Sequence, residues 1–210
     1  LDFFNFSPHC ASASAFNQQR SKILPEAFDY LFHTFTERVA KPKTWNGYRL
    51  LACDGTDINI FRNPNDLETY YQSLPTDKGF NQLHLSALYD ICSRIYVDGV
   101  IQNRYEENEF RACVQMLDRS DLSEKTILIA DRGFENYNIF AHAQEKGWKY
   151  LLRVKDLSGN GIVSRLQLPQ DPCFDMDIDL QITRKLSNET KRLFLDRNHY
   201  RYTPPNSKFD

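Results

Sequence analysis

The sequence predicts an α/β fold built on one mixed sheet, with three antiparallel strands followed by crossover units. Three observations lead there. Short apolar or alternating runs occupy residues 48–101, two helical patterns then alternate with apolar runs between residues 106 and 155, and the run Thr126-Ile127-Leu128-Ile129-Ala130 carries no charge at all. A charge-free strand of this kind is buried on both faces, and strands separated by helices join through crossover connections. At 210 residues, 41% apolar and 26% charged, the chain can bury one sizeable core, or one core and a small appendage.

Element by element, residues 7–40 read as helical. Ser12 or Ser14 can cap a first segment through Gln19 and Ile23, and Pro25 suits the first turn of a second. There Phe28, Leu31, Phe32, Phe35 and Val39 recur at spacings of three and four, an amphipathic stripe. Pro42 and Gly47 break that period, so a boundary falls between residues 41 and 47. Residues 48–53 read as a buried strand, 58–61 as its continuation or hairpin partner, and Asn63-Pro64-Asn65 as a turn. Strands 82–89 and 94–101 complete the meander. Residues 106–117 form a helix with Phe110, Cys113, Val114 and Leu117 on one face and Glu106, Glu107 and Glu109 in its first turn, where the dipole favours them. Strand 126–130, helix 135–146 closed by Gly147, and strand 148–155 follow. Beyond residue 157, alternation such as Asp177-Ile178-Asp179-Leu180-Gln181-Ile182-Thr183 suggests a β-rich module.

Composition limits the function classes. No apolar run is long enough to span a bilayer, and mean hydropathy is −0.58. Residues 1–6 are too short and too acidic for a secretory signal, so a cytosolic protein without membrane contact is expected. Five cysteines stand singly, without a C-x-x-C pair, which fits neither a disulfide framework nor a structural zinc site. A net charge of −2 restricts any nucleic-acid contact to local patches. Residues 9–49 carry six Lys/Arg against three acids and residues 181–210 carry seven against three, so both ends are mildly basic. Such runs suit phosphates but are commonly solvated faces. Because the sequence begins at Leu1 and stops at Asp210 without a capped element, it reads as a piece of something longer.

Two carboxylates draw attention because each ends an apolar strand: Asp54 after Leu50-Leu51-Ala52-Cys53 and Asp131 after Ile127-Leu128-Ile129-Ala130. If those strands are parallel neighbours, about 4.8 Å apart, both carboxylates emerge at one sheet edge within reach of a divalent ion. The plainer alternatives are a hairpin turn at Asp54-Gly55 and an ordinary loop at Asp131-Arg132-Gly133.

The segments Ala52-Cys53-Asp54-Gly55-Thr56, Ile129-Ala130-Asp131-Arg132-Gly133-Phe134 and the run from Lys146 through Trp148 and Tyr150 to Arg153-Val154-Lys155 resemble bacterial insertion-sequence DDE transposases. Ser12 to Arg20 is similar to the helical segment preceding their core. The resemblance implies an RNase H-like core over residues 47–157, an N-terminal helical segment over 1–46 with possible DNA contact, and the start of a β-rich insertion over 158–210. It implies Mg²⁺ or Mn²⁺ on Asp54 and Asp131, double-stranded DNA (inverted-repeat ends and target) as substrate, a homodimer on DNA, and a bacterial, nucleoid-associated location. The family's third acid lies in a Tyr-x-x-Arg-x-x-x-Glu pattern. Tyr150 and Arg153 match its start, but Leu157 stands at the glutamate position. The expectation is that the chain ends before the acid-bearing helix, lacks a complete two-metal site and is inactive alone.

Arg132, Arg153 and Lys155 are candidate phosphate contacts. Strand alternation would put Leu151, Arg153 and Lys155 on one face, although a solvated strand end explains the two cations as well, and Arg132 could instead pair with Glu135. His84 reads as a structural histidine rather than a ligand, Asp57 as a polar strand residue in preference to an accessory acid, and Trp45, Trp148 and Tyr150 as core or boundary packing. A helix-turn-helix over residues 12–40 is disfavoured by the strong apolar stripe. Two other functions compete: a catalytically inactive remnant that binds DNA or a partner subunit, and a phosphatase resembling haloacid dehalogenases. The latter needs Asp-x-Asp-Gly-Thr, and position 52 is Ala.

Overall fold

The structure is a computed structural model that describes residues 10–39, 42–122, 125–156, 158–159, 161–164, 166, 168–178, 181–183 and 200–202. The chain divides into two compact units, Leu1–Lys41 and Pro42–Asp210.

In the first unit Ser12 caps helix α1 (Ala13–Gln19), its hydroxyl accepting from the Ala15 N–H at 3.1 Å. A single 3-10 turn, Arg20–Lys22, leads to α2 (Pro25–Val39), which starts on the proline as expected. Phe28, Leu31 and Phe35 of its stripe are exposed. The Val39 side chain lies outside the described residues.

The second unit holds a six-stranded mixed sheet. Strand β1 (Arg49–Ile60) is central, pairing antiparallel with β3 (Phe80–Asp90) and parallel with β5 (Thr126–Ala130). Beyond β3 lie β4 (Ile95–Asn103) and the two-residue β2 (Tyr70–Tyr71); beyond β5 lies β6 (Lys149–Leu152), again parallel. Three antiparallel strands followed by two parallel crossovers give the RNase H-like order that the sequence predicts.

Helices α3 (Glu109–Arg119) and α4 (Tyr137–Glu145) supply the crossovers. Leu51, Cys53, Leu88, Leu128 and Ala130 on one sheet face form a single core with Cys113, Met116 and Leu117 of α3 and Ile139 and Ala143 of α4. A buried ion pair fixes the strand ends: Asp90 is wholly buried, and its carboxylate accepts from Arg49 Nε at 2.6 Å, the Ser93 N–H at 2.8 Å and the Ser93 hydroxyl at 3.0 Å. The Asp90 bonds thereby join the start of β1 to the β3–β4 turn.

Four expectations need correction. Strand β1 runs unbroken for 12 residues through Asp54-Gly55, so the hairpin-turn alternative fails. Helix α3 begins at Glu109 because the Asn108 side chain caps it, accepting from the Arg111 N–H at 2.9 Å; Glu106 falls in a preceding 3-10 turn and Glu107 outside any helix. Strand β6 ends at Leu152, so strand alternation does not reach Arg153 or Lys155. Trp45 is exposed rather than core, bridging to Tyr48, whereas Trp148 is buried and Tyr150 stacks on Phe140 at 4.5 Å. From the β-rich stretch beyond residue 157, β7 (Gln181–Thr183) and β8 (Tyr200–Tyr202) pair in parallel, while Leu157, most of the basic run 181–210, and His9 and His199 lie outside the described residues.

Candidate active site

The register of the central strands decides where the two aspartates stand. Cys53 pairs with Ala130 in the parallel β1–β5 ladder, and Asp54 and Asp131 are the next residue of each strand. Parallel neighbours lie about 4.8 Å apart, and successive side chains alternate faces. Cys53 and Ala130 point into the core, so Asp54 and Asp131 emerge on the opposite face, both exposed.

Each carboxylate is oriented by the backbone that follows it. Asp54 Oδ1 accepts from the Gly55 N–H at 2.9 Å, and Asp131 Oδ1 accepts from the Gly133 N–H at 2.6 Å. Asp131 is extended (φ −82°, ψ −179°) and caps the 3-10 turn Arg132–Phe134. That turn is anchored by Phe134, which is 1% exposed and meets Phe110 edge-on at 6.5 Å. A Cβ on Gly133 would stand 2.8 Å from Asp131 Oδ1, so the small residue is what lets the carboxylate fold over the turn. Local bonds use one oxygen of each aspartate. The donor set left at the rim, carboxylate oxygen from two neighbouring strands, suits a hard divalent cation.

The three candidate cations lie on the turn after Asp131 and on the segment after β6. Arg132 follows it directly and is exposed. Arg153 is also exposed, and its backbone N–H donates to the carbonyl of Ala130 at 3.2 Å, next to Asp131. Glu135 accepts from the backbone N–H of exposed Lys155, so this acid tethers the segment after β6.

A second group of titratable side chains lies on the α3 face of the sheet, and sequence reasoning passed it over. Asp57 and His84 are directly opposed across β1 and β3. His84 Nδ1 stands 2.9 Å from Asp57 Oδ1 and 3.6 Å from Glu107 Oε1, while Nε2 stands 3.3 Å from Glu109 Oε1. Arg104 Nη1 approaches Asp57 Oδ2 at 3.8 Å. Gly55 makes room for this group: a Cβ there would collide with His84 Nε2 and Glu109 Oε1. On the same face of β1 as Gly55 and Asp57, hydrogen bonding to Cys113 and burial push the Cys53 thiol far above its ordinary range. The one sequence signal was the acidic run Glu106-Glu107-Asn108-Glu109, and only the β1–β3 register shows what it faces.

Among curated proteins, no significant match to the chain is found. The family model described as "Transposase DDE domain" matches residues 45–209, which include both aspartates, the whole mixed sheet and the segment beyond it. With that match over most of its length, the chain belongs to the DDE transposase domain family.

Proposed function

We propose that Asp54 and Asp131 are metal-holding residues of a transposase that cuts and joins DNA at transposon ends. The observation carrying this reading is the Cys53–Ala130 register pair, which makes the two aspartates neighbours at one rim. A bound Mg²⁺ or Mn²⁺ pair would activate the attacking water or hydroxyl and neutralise the leaving oxygen of an in-line phosphoryl transfer. The protein's own part is to hold two carboxylates in fixed orientation through Gly55 and Gly133. Arg132, Arg153 and Lys155, all exposed on the segments flanking Asp131, would bind the DNA phosphates on either side of the scissile bond. Pairing of two copies on the DNA ends belongs to the same reading.

Within residues 1–210 the Tyr-x-x-Arg-x-x-x-Glu pattern is not completed, because Leu157 occupies its last position. These residues by themselves are therefore proposed to bind metal and DNA without completing strand cleavage. The test uses the complete natural reading frame and a DNA fragment bearing its inverted repeats. Cleavage in Mg²⁺ is expected, and Asp54→Asn or Asp131→Asn should abolish it while end binding survives. Cleavage retained by both variants would remove the assignment. An intact reading frame that binds the ends but never cuts them would favour the inactive, DNA-binding remnant.

A further inference from the structure

We propose that Asp57, His84 and Glu107 form a second divalent-cation site, selective for a transition ion such as Zn²⁺ or Mn²⁺ over Mg²⁺, with Glu109 orienting the imidazole. It lies apart from the aspartate rim and does not rest on the transposition chemistry. Asp57 is three residues beyond Asp54 on the same strand, about 10 Å along it at 3.3 Å per residue, and an odd spacing puts it on the opposite face of the sheet.

Three observations carry the site. One ligand atom from each of Asp57, His84 and Glu107 lies within 4.8 Å of the others, and His84 Nδ1 stands 2.9 Å from Asp57 Oδ1 and 3.6 Å from Glu107 Oε1. Donors bonded at about 2.0–2.2 Å to one tetrahedral ion stand about 3.3–3.6 Å apart, so small shifts of the two carboxylates, both on partly exposed side chains, would close the site on an ion. His84 supplies the second: its side chain is only 6% exposed, and its buried Nε2 makes no hydrogen bond although it stands 3.3 Å from Glu109 Oε1. A neutral imidazole has one N–H for two nitrogens, yet carboxylate oxygens face both. With a cation on Nδ1, the proton moves to Nε2 and donates to Glu109, the arrangement in which a ligating histidine is held by a carboxylate behind it. The third is charge. Asp57, Glu107 and Glu109 surround His84; Arg104 stands 3.8 Å from Asp57, but its guanidinium also bonds Gln82 and covers the Tyr71 ring at 4.2 Å. Two carboxylates and one imidazole neutralise a divalent ion. An imidazole nitrogen disfavours Mg²⁺, which prefers an all-oxygen octahedron, and favours Zn²⁺ or Mn²⁺.

The experiment titrates the 210-residue chain carrying Asp54→Asn and Asp131→Asn, so that the rim no longer contributes, with Zn²⁺ and separately Mn²⁺ by calorimetry. One bound ion per chain is expected, not displaced by millimolar Mg²⁺. Glu107→Gln in that background should weaken binding at least about 10-fold, and His84→Ala should abolish it. Crystals soaked in Zn²⁺ should show an anomalous peak within bonding distance of His84 Nδ1. If His84→Ala fails to fold by circular dichroism, Glu107→Gln decides the matter, because its side chain is 37% exposed and its loss leaves the core intact. No stoichiometric binding in the aspartate-free background, or binding that Glu107→Gln leaves unchanged, overturns the proposal. Loss of DNA cleavage in the aspartate variants bears only on the rim, so the two readings fail separately.

Discussion

Replacing Gly55 by alanine tests whether the close approach of His84 and Glu109 to β1 requires a glycine there. The added Cβ would meet Glu109 Oε1 and His84 Nε2 inside van der Waals distance. Glu109 can yield, since its carboxylate is the flexible end of a side chain 34% exposed. His84 cannot yield so readily: it is 6% exposed and bonded through Nδ1 to Asp57 at 2.9 Å. Overpacking against a pinned group costs about 1–3 kcal/mol, and lowering the unfolded chain's entropy by Gly→Ala returns about 0.4–1 kcal/mol. The net expectation is a loss of about 1–2 kcal/mol. With a urea m-value of about 2 kcal/mol/M, the midpoint should fall by about 0.5–1 M. Gly99→Ala is the matched control, because its Cβ would meet Leu85 Cδ1 at 3.4 Å and the Ser86 carbonyl at 3.6 Å, which is ordinary contact. It should stay within about 0.5 kcal/mol of the parent. In Gly55→Ala/His84→Ala the collision with the imidazole is gone and only the yielding Glu109 carboxylate remains, so the double variant should be more stable than the sum of the singles by about 1 kcal/mol. A Gly55→Ala protein as stable as the parent, or a cycle with no coupling, would refute the close-approach argument.

Other consequences follow from named contacts. Asp90→Ala strands Arg49, which is 14% exposed, and should cost about 3–5 kcal/mol in urea denaturation, whereas Asp90→Leu combined with Arg49→Leu should cost less than the single change. Phe134→Ala empties the anchor beneath the Asp131 turn; a loss of about 3–5 kcal/mol is expected, and a value under 1 kcal/mol would show that the turn is held elsewhere. With Cys53 pushed up by its hydrogen bond to Cys113 and by burial, its thiolate is scarce at pH 8; a thiol reagent should label exposed Cys173 first and reach Cys53 and Cys113 only on unfolding. Arg153→Ala should lower the slope of log K for DNA-end binding against log salt by about one, read by fluorescence anisotropy, and an unchanged slope would remove Arg153 from the phosphate contacts.

The order of elements was legible in the sequence because it depends on local pattern. The apolar run 126–130 could only be a buried strand, Pro25 and Ser12 mark helix starts that the structure keeps, and Gly147, at φ 69°, follows the last helix as read. Asp54 and Asp131 were found because each follows an apolar run, a feature of adjacent residues, although β1 continues through Asp54 to Ile60. What local pattern could not supply was register. Asp-Gly is a turn signal in isolation; here continuous pairing of β1 with β3 from Leu51 to Ile60 overrides it, and the glycine serves the close approach of His84 and Glu109. Helix α3 starts later than its acidic residues suggest because the Asn108 side chain caps it, and strand β6 stops at Leu152 because its ladder partner β5 ends opposite, at Ala130. The cluster around His84 draws residues from β1, β3 and the segment before α3, separated by more than twenty positions in sequence. Sequence alone determined the order of the main strands and helices and marked the two carboxylates that follow apolar runs. Tertiary structure decided which side chains face each other, because pairing across a sheet is a property of two strands at once and neither one encodes it.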